Sequence, residues 1–308
     1  MRHTDERDRA IRKKYKNVSK VQIDAFNYNK RQKVTVAEAT GKKRGAVMKK
    51  YIGVDLGGTN IRAAVVQEDG KILCMKKSES HPERGAEPVM ETMISLIGYP
   101  IADHIRNHFR KPTFMDNDVK VAALGEAVLG AGKGYPIVYY VTVSTGIGGA
   151  LVIDRKVVSG QNGHAGEIGN ICIDRNREKY NILNAGAVEN EASGTAITRK
   201  GRAVFGDSIH NAGDVFDLAR SGDEKALEIV DNMAYDLAMM FSAIGHVVDP
   251  HVFVVGGGVM KGKDVFFEKM EKYYRSMIHE GMQPVVFKEA ELEEPGIAGA
   301  AMLPMTRE

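Results

Sequence analysis

Two glycine-rich segments, each directly after an apolar run, carry residue types suited to holding phosphate. Asp55-Leu-Gly-Gly-Thr59 follows Tyr51–Val54, and Ser144-Thr-Gly-Ile-Gly-Gly149 follows Tyr140–Val143. Glycine lets a chain turn sharply and present its N–H groups, and clustered N–H groups bind phosphate oxygens. Thr59 adds a hydroxyl donor. Asp55 is placed to hold Mg2+ through water, since that ion takes few carboxylates and keeps much of its hydration shell. Taken singly, Asp55–Thr59 is also what an ordinary hairpin turn contains. Two such segments in matching contexts argue for the phosphate chemistry. Gly256-Gly-Gly258 follows a third apolar run, Val252–Val255. Its bare backbone suits the flat approach of a nucleoside, and by itself it is also a plausible helix-start turn.

The elements that must position these segments follow from periodicity. Tyr51–Val54, Ile61–Val66 and Ile72–Met75, separated by Gly57-Gly58 and Asp69-Gly70, read as an antiparallel meander. The pattern recurs in Tyr140–Val143, Ala150–Ile153 and Val157-Val158, and superposing Val54 on Val143 aligns Asp55 with Ser144 and Gly57 with Gly146. Such a repeat argues for two related domains facing each other. Residues 86–97 carry Met90, Met93, Ile94 and Ile97 at helical spacing, and residues 101–110 read as the next helix. The longest helical face is Ala226, Ile229, Val230, Met233, Leu237, Met240, Phe241 and Ile244, stopped by Asp249-Pro250. The glycine- and alanine-rich stretch 296–302 suits a closely packed final helix. Alternating strands and helices give an α/β class.

Composition narrows the setting. The 308 residues suffice for two domains, and 43% are apolar, which speaks against disorder. No run approaches the roughly 18 apolar residues of a membrane span, and the charged start is no signal segment. Cys74 and Cys172 form no CxxC pair. A soluble cytoplasmic protein is the expectation. The net charge of +3 hides an asymmetry: residues 1–50 carry +11 and the remainder −8. A basic arm of this kind either touches a polyanion such as nucleic acid or is simply solvated.

The motifs together resemble a known family. Asp55–Thr59 resembles the first phosphate motif of the actin-like sugar kinases, Val141–Gly149 the second, and Val254–Gly258 their adenosine motif. The run from Val141 through Gly160 to Gly163-His-Ala-Gly-Glu-Ile-Gly169 closely resembles the signature of the ROK (repressor, open reading frame, kinase) family. Asp116-Asn-Asp-Val-Lys-Val-Ala-Ala-Leu-Gly-Glu126 resembles its acid-Asn-Asp segment, which enters an interdomain helix. The likeness runs from Tyr51 to Met302.

The resemblance implies two actin-like (ribonuclease H-like) lobes around a cleft, with 48–121 plus 292–308 as the first lobe, 122–291 as the second, and 1–47 as an extension. It implies ATP-dependent phosphorylation of a hexose or N-acylhexosamine hydroxyl, of glucokinase type, by a homodimer. Asp118 matches the catalytic base. Asn117, Asp118, Glu167, Asn170 and Glu189 match sugar ligands. Asp55, Gly57, Gly58, Thr59, Asn60, Thr145, Gly146, Gly148, Gly149, Gly256, Gly257 and Gly258 match the ATP site, with Asp55 also on Mg2+. A carboxylate in reach of a sugar hydroxyl can take its proton as it attacks the γ-phosphoryl group. The bland alternative for Asp118 is an Asn-Asp turn or helix cap.

Two departures qualify the likeness. Many family members bind zinc through a His after the Gly-Glu-x-Gly segment and a Cys-x-Cys…Cys cluster. Here the His position is Asn170, and 180–189 contains no cysteine, so no zinc is expected; His164 nearby is a lone histidine. The chain also passes from Leu96-Ile-Gly-Tyr-Pro100 straight into Ile101–Arg110, where the family has several tens more residues, including a buried strand and an Asn that contacts the sugar. The first lobe is therefore expected to be shortened, with activity in question. A sugar-responsive regulator or catalytically impaired sugar-binding homologue is the rival reading, since residues 33–47 faintly resemble a helix-turn-helix core.

Overall fold

The computed structural model describes residues 49–56, 60–79, 106 and 110–307. Gly57, Gly58, Thr59, the basic extension with its helix-turn-helix-like stretch, the helix expected at 86–97 and most of the one at 101–110 lie outside the described residues.

The first meander forms as expected: β1 (Lys50–Leu56), β2 (Asn60–Gln67) and β3 (Ile72–Glu79) pair antiparallel in the order β1-β2-β3. The second also forms, as β4 (Ile137–Val143), β5 (Ile147–Ile153) and the short β6 (Lys156–Val157). It is extended by β7 (Val252–Gly256) and β8 (Val286–Glu289), parallel to β4, giving the order β6-β5-β4-β7-β8. Both faces of this sheet are covered, and the period of two sorts its side chains. Tyr139, Val141, Val143, Phe253 and Val255 enter one core, while Val138, Tyr140, Val252 and Val254 enter the other.

The helices behind the first of these cores are α2 (Val188–Ala192), α3 (Gly194–Phe205), α4 (Ala212–Arg220), α5 (Glu224–Val248) and α6 (Lys263–Met277). Every residue of the apolar face read from 226–244 is buried on α5, and Asp249 ends that helix in the left-handed region at φ 47°. The second core holds α1 (Asp118–Val128) and α7 (Pro295–Arg307), together with Ala64 and Val66 of β2. Glycines let these two helices touch: a Cβ on Gly299 would lie 1.5 Å from the Val121 carbonyl oxygen, and one on Gly125 2.6 Å from that of Pro295. Glu126 on α1 is fully buried, and its carboxylate accepts N–H bonds from Ala131, Glu291 and Leu292 at 2.9, 3.2 and 2.9 Å. It thereby ties α1 to the connection between β8 and α7, which a buried charge needs for its own satisfaction.

The outer edge of β1 pairs with no strand among the described residues. Gly53 packs on α7, with a would-be Cβ 2.4 Å from the Ile297 oxygen, while the opposite-facing Ile52 and Val54 are 61% and 52% exposed.

Candidate active site

The parallel neighbours β4 and β7 end side by side, so their C-terminal turns meet. Thr142 pairs with Gly256, and the next residue, Gly257, has φ +96° and a Cβ position only 2.3 Å from the Val143 oxygen. No other residue fits there without strain. Ser144 accepts an N–H bond from Gly194 at 2.7 Å, bringing in the start of α3, whose cap Ser193 accepts from Ala196 at 3.2 Å. An open cavity of about 660 Å3 lies over these turns, lined by Ser144, Thr145, Thr195, Thr198, Gly258 and Lys261. Arg199, Arg202 and His210 line it too, giving the cavity basic walls.

The second glycine segment divides in a way the sequence reading did not anticipate. Only Ser144, Thr145 and Gly146 form the turn. Gly148 and Gly149 lie within β5, paired with Thr142 and Val141. Their bareness serves packing: a Cβ on Gly148 would meet Val119 at 3.0 Å, and one on Gly149 the side chain of Ile168 at 2.7 Å.

Those packing contacts gather the remaining residues. Asp118 is the exposed first residue of α1, and the cap is Asn117, whose Oδ1 accepts from Val119 at 2.9 Å and Lys120 at 3.4 Å. Asp118 is therefore not the helix cap; its Oδ1 accepts from the Val119 N–H at 2.9 Å. One residue on, Val119 abuts Gly148. Two residues on, the buried Lys120 donates to the Gly163 oxygen and, at 3.5 Å, to that of Ser159. The segment 163–170 in turn lies against β5, with the Gly149 N–H bonded to the Gly166 oxygen at 3.1 Å and Gly166 at φ +98°.

Within that segment Glu167 and Asn170 are exposed. The Asn170 Oδ1 accepts from Asn184 at 2.7 Å, leaving its amide group as the possible donor. Glu189 is wedged beside the turn: its Oε2 accepts from Ile147 at 2.8 Å, and Cβ atoms on Gly146 and Gly169 would lie 2.6 and 3.0 Å from that oxygen.

Asp55 stands near the end of β1, half-buried. Arg62 is 3.9 Å from its Oδ2, and the Arg62 guanidinium also bonds Glu294. Burial pushes the Asp55 carboxyl up from its ordinary range; Arg62 opposes this, while the charges of Asp118 and Glu294 add to it. Asp55 thus feels two further carboxylates beside one guanidinium. Among the described residues no three His, Cys, Asp or Glu are grouped to hold a metal ion. Asn60 begins β2. Asn170, which stands at the position of the family's zinc-binding His, accepts from Asn184, and Cys172 pairs with Ala187 across a β-bridge.

The sequence reading missed Lys120, Glu126, Thr195, Thr198 and Lys261. A lysine buried on a helix directly after Asn117-Asp118 is a signal that was available. The other residues come together only through the fold.

A profile of the ROK family matches residues 94–307. The chain is similar to a glucokinase of Thermotoga maritima, at 30% identity covering 82% of this chain and 96% of the relative. That match runs over 308 positions, so the relative carries residues that this chain lacks. Among solved structures it is similar to a ROK hexokinase from Thermus thermophilus, with a TM-score of 0.72 and 28% identity over 82% of this chain and 97% of that one. It is also similar to a ROK family glucokinase from Streptomyces griseus in complex with glucose and AMPPNP, with a TM-score of 0.67 and 25% identity over 84% and 99%.

Proposed function

Since the chain belongs to the ROK family, we propose that it is an ATP-dependent sugar kinase acting on a hexose or N-acylhexosamine hydroxyl. The observation that carries this is the junction at the start of α1. Val119 against Gly148 and Lys120 on the Gly163 oxygen join Asp118 to both the phosphate-type and the sugar-side segments.

Asp118 takes the proton of the attacking hydroxyl as its oxygen bonds to the γ-phosphorus. The bond from that phosphorus to the ADP oxygen breaks, and ADP leaves. Asn117, Glu167, Asn170 and Glu189 hold the other hydroxyls and set the attack geometry. The N–H groups around Ser144–Gly146 and Gly257-Gly258 hold the nucleotide, whose phosphates face the basic cavity wall. Mg2+, when bound beside Asp55, supplies charge neutralisation at the phosphates. Closure of two lobes would exclude water as a competing acceptor.

Purified protein is incubated with Mg-ATP and a panel of hexoses that includes glucose and N-acetylmannosamine. ADP release above background with at least one sugar is expected. None with any sugar would overturn the kinase reading. One observation favours a second reading, an impaired homologue or sugar-responsive regulator: the outer edge of β1 pairs with no strand among the described residues, and Ile52 and Val54 are exposed. DNA binding separates the regulator. The full chain binding DNA more tightly than one beginning at Met48 at low salt, with a steep fall as salt rises, would favour it.

A further inference from the structure

The segment 171–187 has no regular secondary structure beyond one bridge, yet it joins two proposed sugar ligands, Asn170 and Glu189. Its ends close on each other: the Ile173 N–H bonds the Gly186 oxygen at 2.9 Å, the Val188 N–H bonds the Ile171 oxygen at 2.9 Å, and Cys172 bridges Ala187. In its middle, Arg177 reaches a buried acid. The guanidinium forms a two-pronged bond to Asp236, Nη1 to Oδ2 at 2.7 Å and Nη2 to Oδ1 at 2.8 Å. Nη1 also lies 3.2 Å from Glu191, which Lys200 meets at 3.0 Å.

Asp236 is 1% exposed on α5, among apolar residues of the main core, and Glu191 is 5% exposed on α2. A carboxylate in such a place is costly unless paired, and an apolar residue would give at least equal stability. Buried pairs of this kind are better at fixing a geometry than at adding stability. The geometry fixed here is that of 171–187 relative to α5 and α2, and Glu191 stands two residues from Glu189 on α2. Further contacts follow the same line: the Asn181 amide donates to the Asn190 Oδ1 at 3.1 Å, the Asn190 amide donates to the Tyr180 carbonyl oxygen at 3.0 Å, and Arg199 lies 3.8 Å over the Tyr180 ring.

We propose that Arg177, held by Asp236 and Glu191, is a positioning residue that fastens the sugar-side segment 171–187 by charge. The kinetic part rests on the sugar-kinase reading; the fastening itself does not.

The test uses the full chain and three variants: Arg177→Ala, Asp236→Asn, and the pair Arg177→Met with Asp236→Leu. The double variant removes both charges, so no unpaired buried charge is left to prevent folding. Limited trypsin digestion followed by mass spectrometry reads cleavage at Arg175 and Lys179. Steady-state kinetics reads KM for sugar and for ATP. Faster cleavage within the segment is expected in all three variants, with sugar KM raised about tenfold or more and ATP KM little changed. EDTA should leave cleavage of the parent unchanged. Parent-like cleavage and sugar KM in a folded double variant would overturn the proposal, since stability alone would then explain the pair. If the parent phosphorylates no sugar, the functional reading falls, and cleavage alone decides whether Arg177 fastens the segment.

Discussion

Val54 and Val143 hold matching positions in the strands that lead into the two glycine segments, yet Val54 is 52% exposed and Val143 1%. Their strands share a pattern and an antiparallel partner that follows at once in sequence. What differs is what arrives later. Around β4 the chain adds β7 and β8 in parallel and stacks α2–α6 on one face and α1 and α7 on the other. Around β1, among the described residues, it adds only β2, β3 and the α7 contact. A strand's existence is therefore a local property, while its burial is set by distant segments. The turns proposed to hold the nucleotide belong to the region whose sheet is covered on both faces, and Asp55 belongs to the one that, among the described residues, is not.

Substitution of equivalent positions should sharpen this contrast. Val143→Asp places an unpaired charge in the main core and should cost about 4 kcal/mol or more, or abolish folding. Val54→Asp should stay within about 0.5 kcal/mol of the parent. Urea midpoints of the two variants measure the difference, and equal losses would show that β1 is as enclosed as β4.

A second contrast concerns pH. Burial in the second sheet pushes the Tyr139 and Tyr140 hydroxyls up to about 12, against an ordinary value near 10. Above pH 10 the unfolded chain sheds phenolic protons that the folded chain keeps. This contribution is complete below pH 10 and is lost as pH rises towards 12, at about 1.4 kcal/mol per pH unit per tyrosine. Chemical denaturation at pH 9, 10 and 11 should show the decline, and Tyr139→Phe should reduce it.

A change of opposite sign is expected at Tyr274. Its buried hydroxyl has no hydrogen-bond partner among the described residues. Tyr274→Phe should be neutral or stabilising by about 1 kcal/mol, because an unsatisfied polar group is removed at little change in shape. A clear loss of stability would show that the hydroxyl is satisfied.

The sequence made seven of the eight described strands and the long α5 face legible because each follows a local period; β8, a four-residue strand, was not read. It also marked Asn117-Asp118 and the two glycine turns as places for chemistry. It did not separate Ser144–Gly146 from Gly148 and Gly149, because a glycine that turns the chain and one that makes room for Val119 or Ile168 read alike. Nor could it pair Arg177 with Asp236, which lie 59 positions apart. Glu126 reads as one more polar residue on a helix until Glu291 and Leu292 are seen to donate to it.

The central claim is that Asp118 at the start of α1 is the base of a sugar kinase. Turnover of Asp118→Asn, measured as sugar-dependent ADP release beside Mg-ATP affinity, tests it most directly. Turnover is expected to fall by about 10²–10⁴-fold with ATP binding largely retained. Turnover within a factor of a few of an active parent would contradict it.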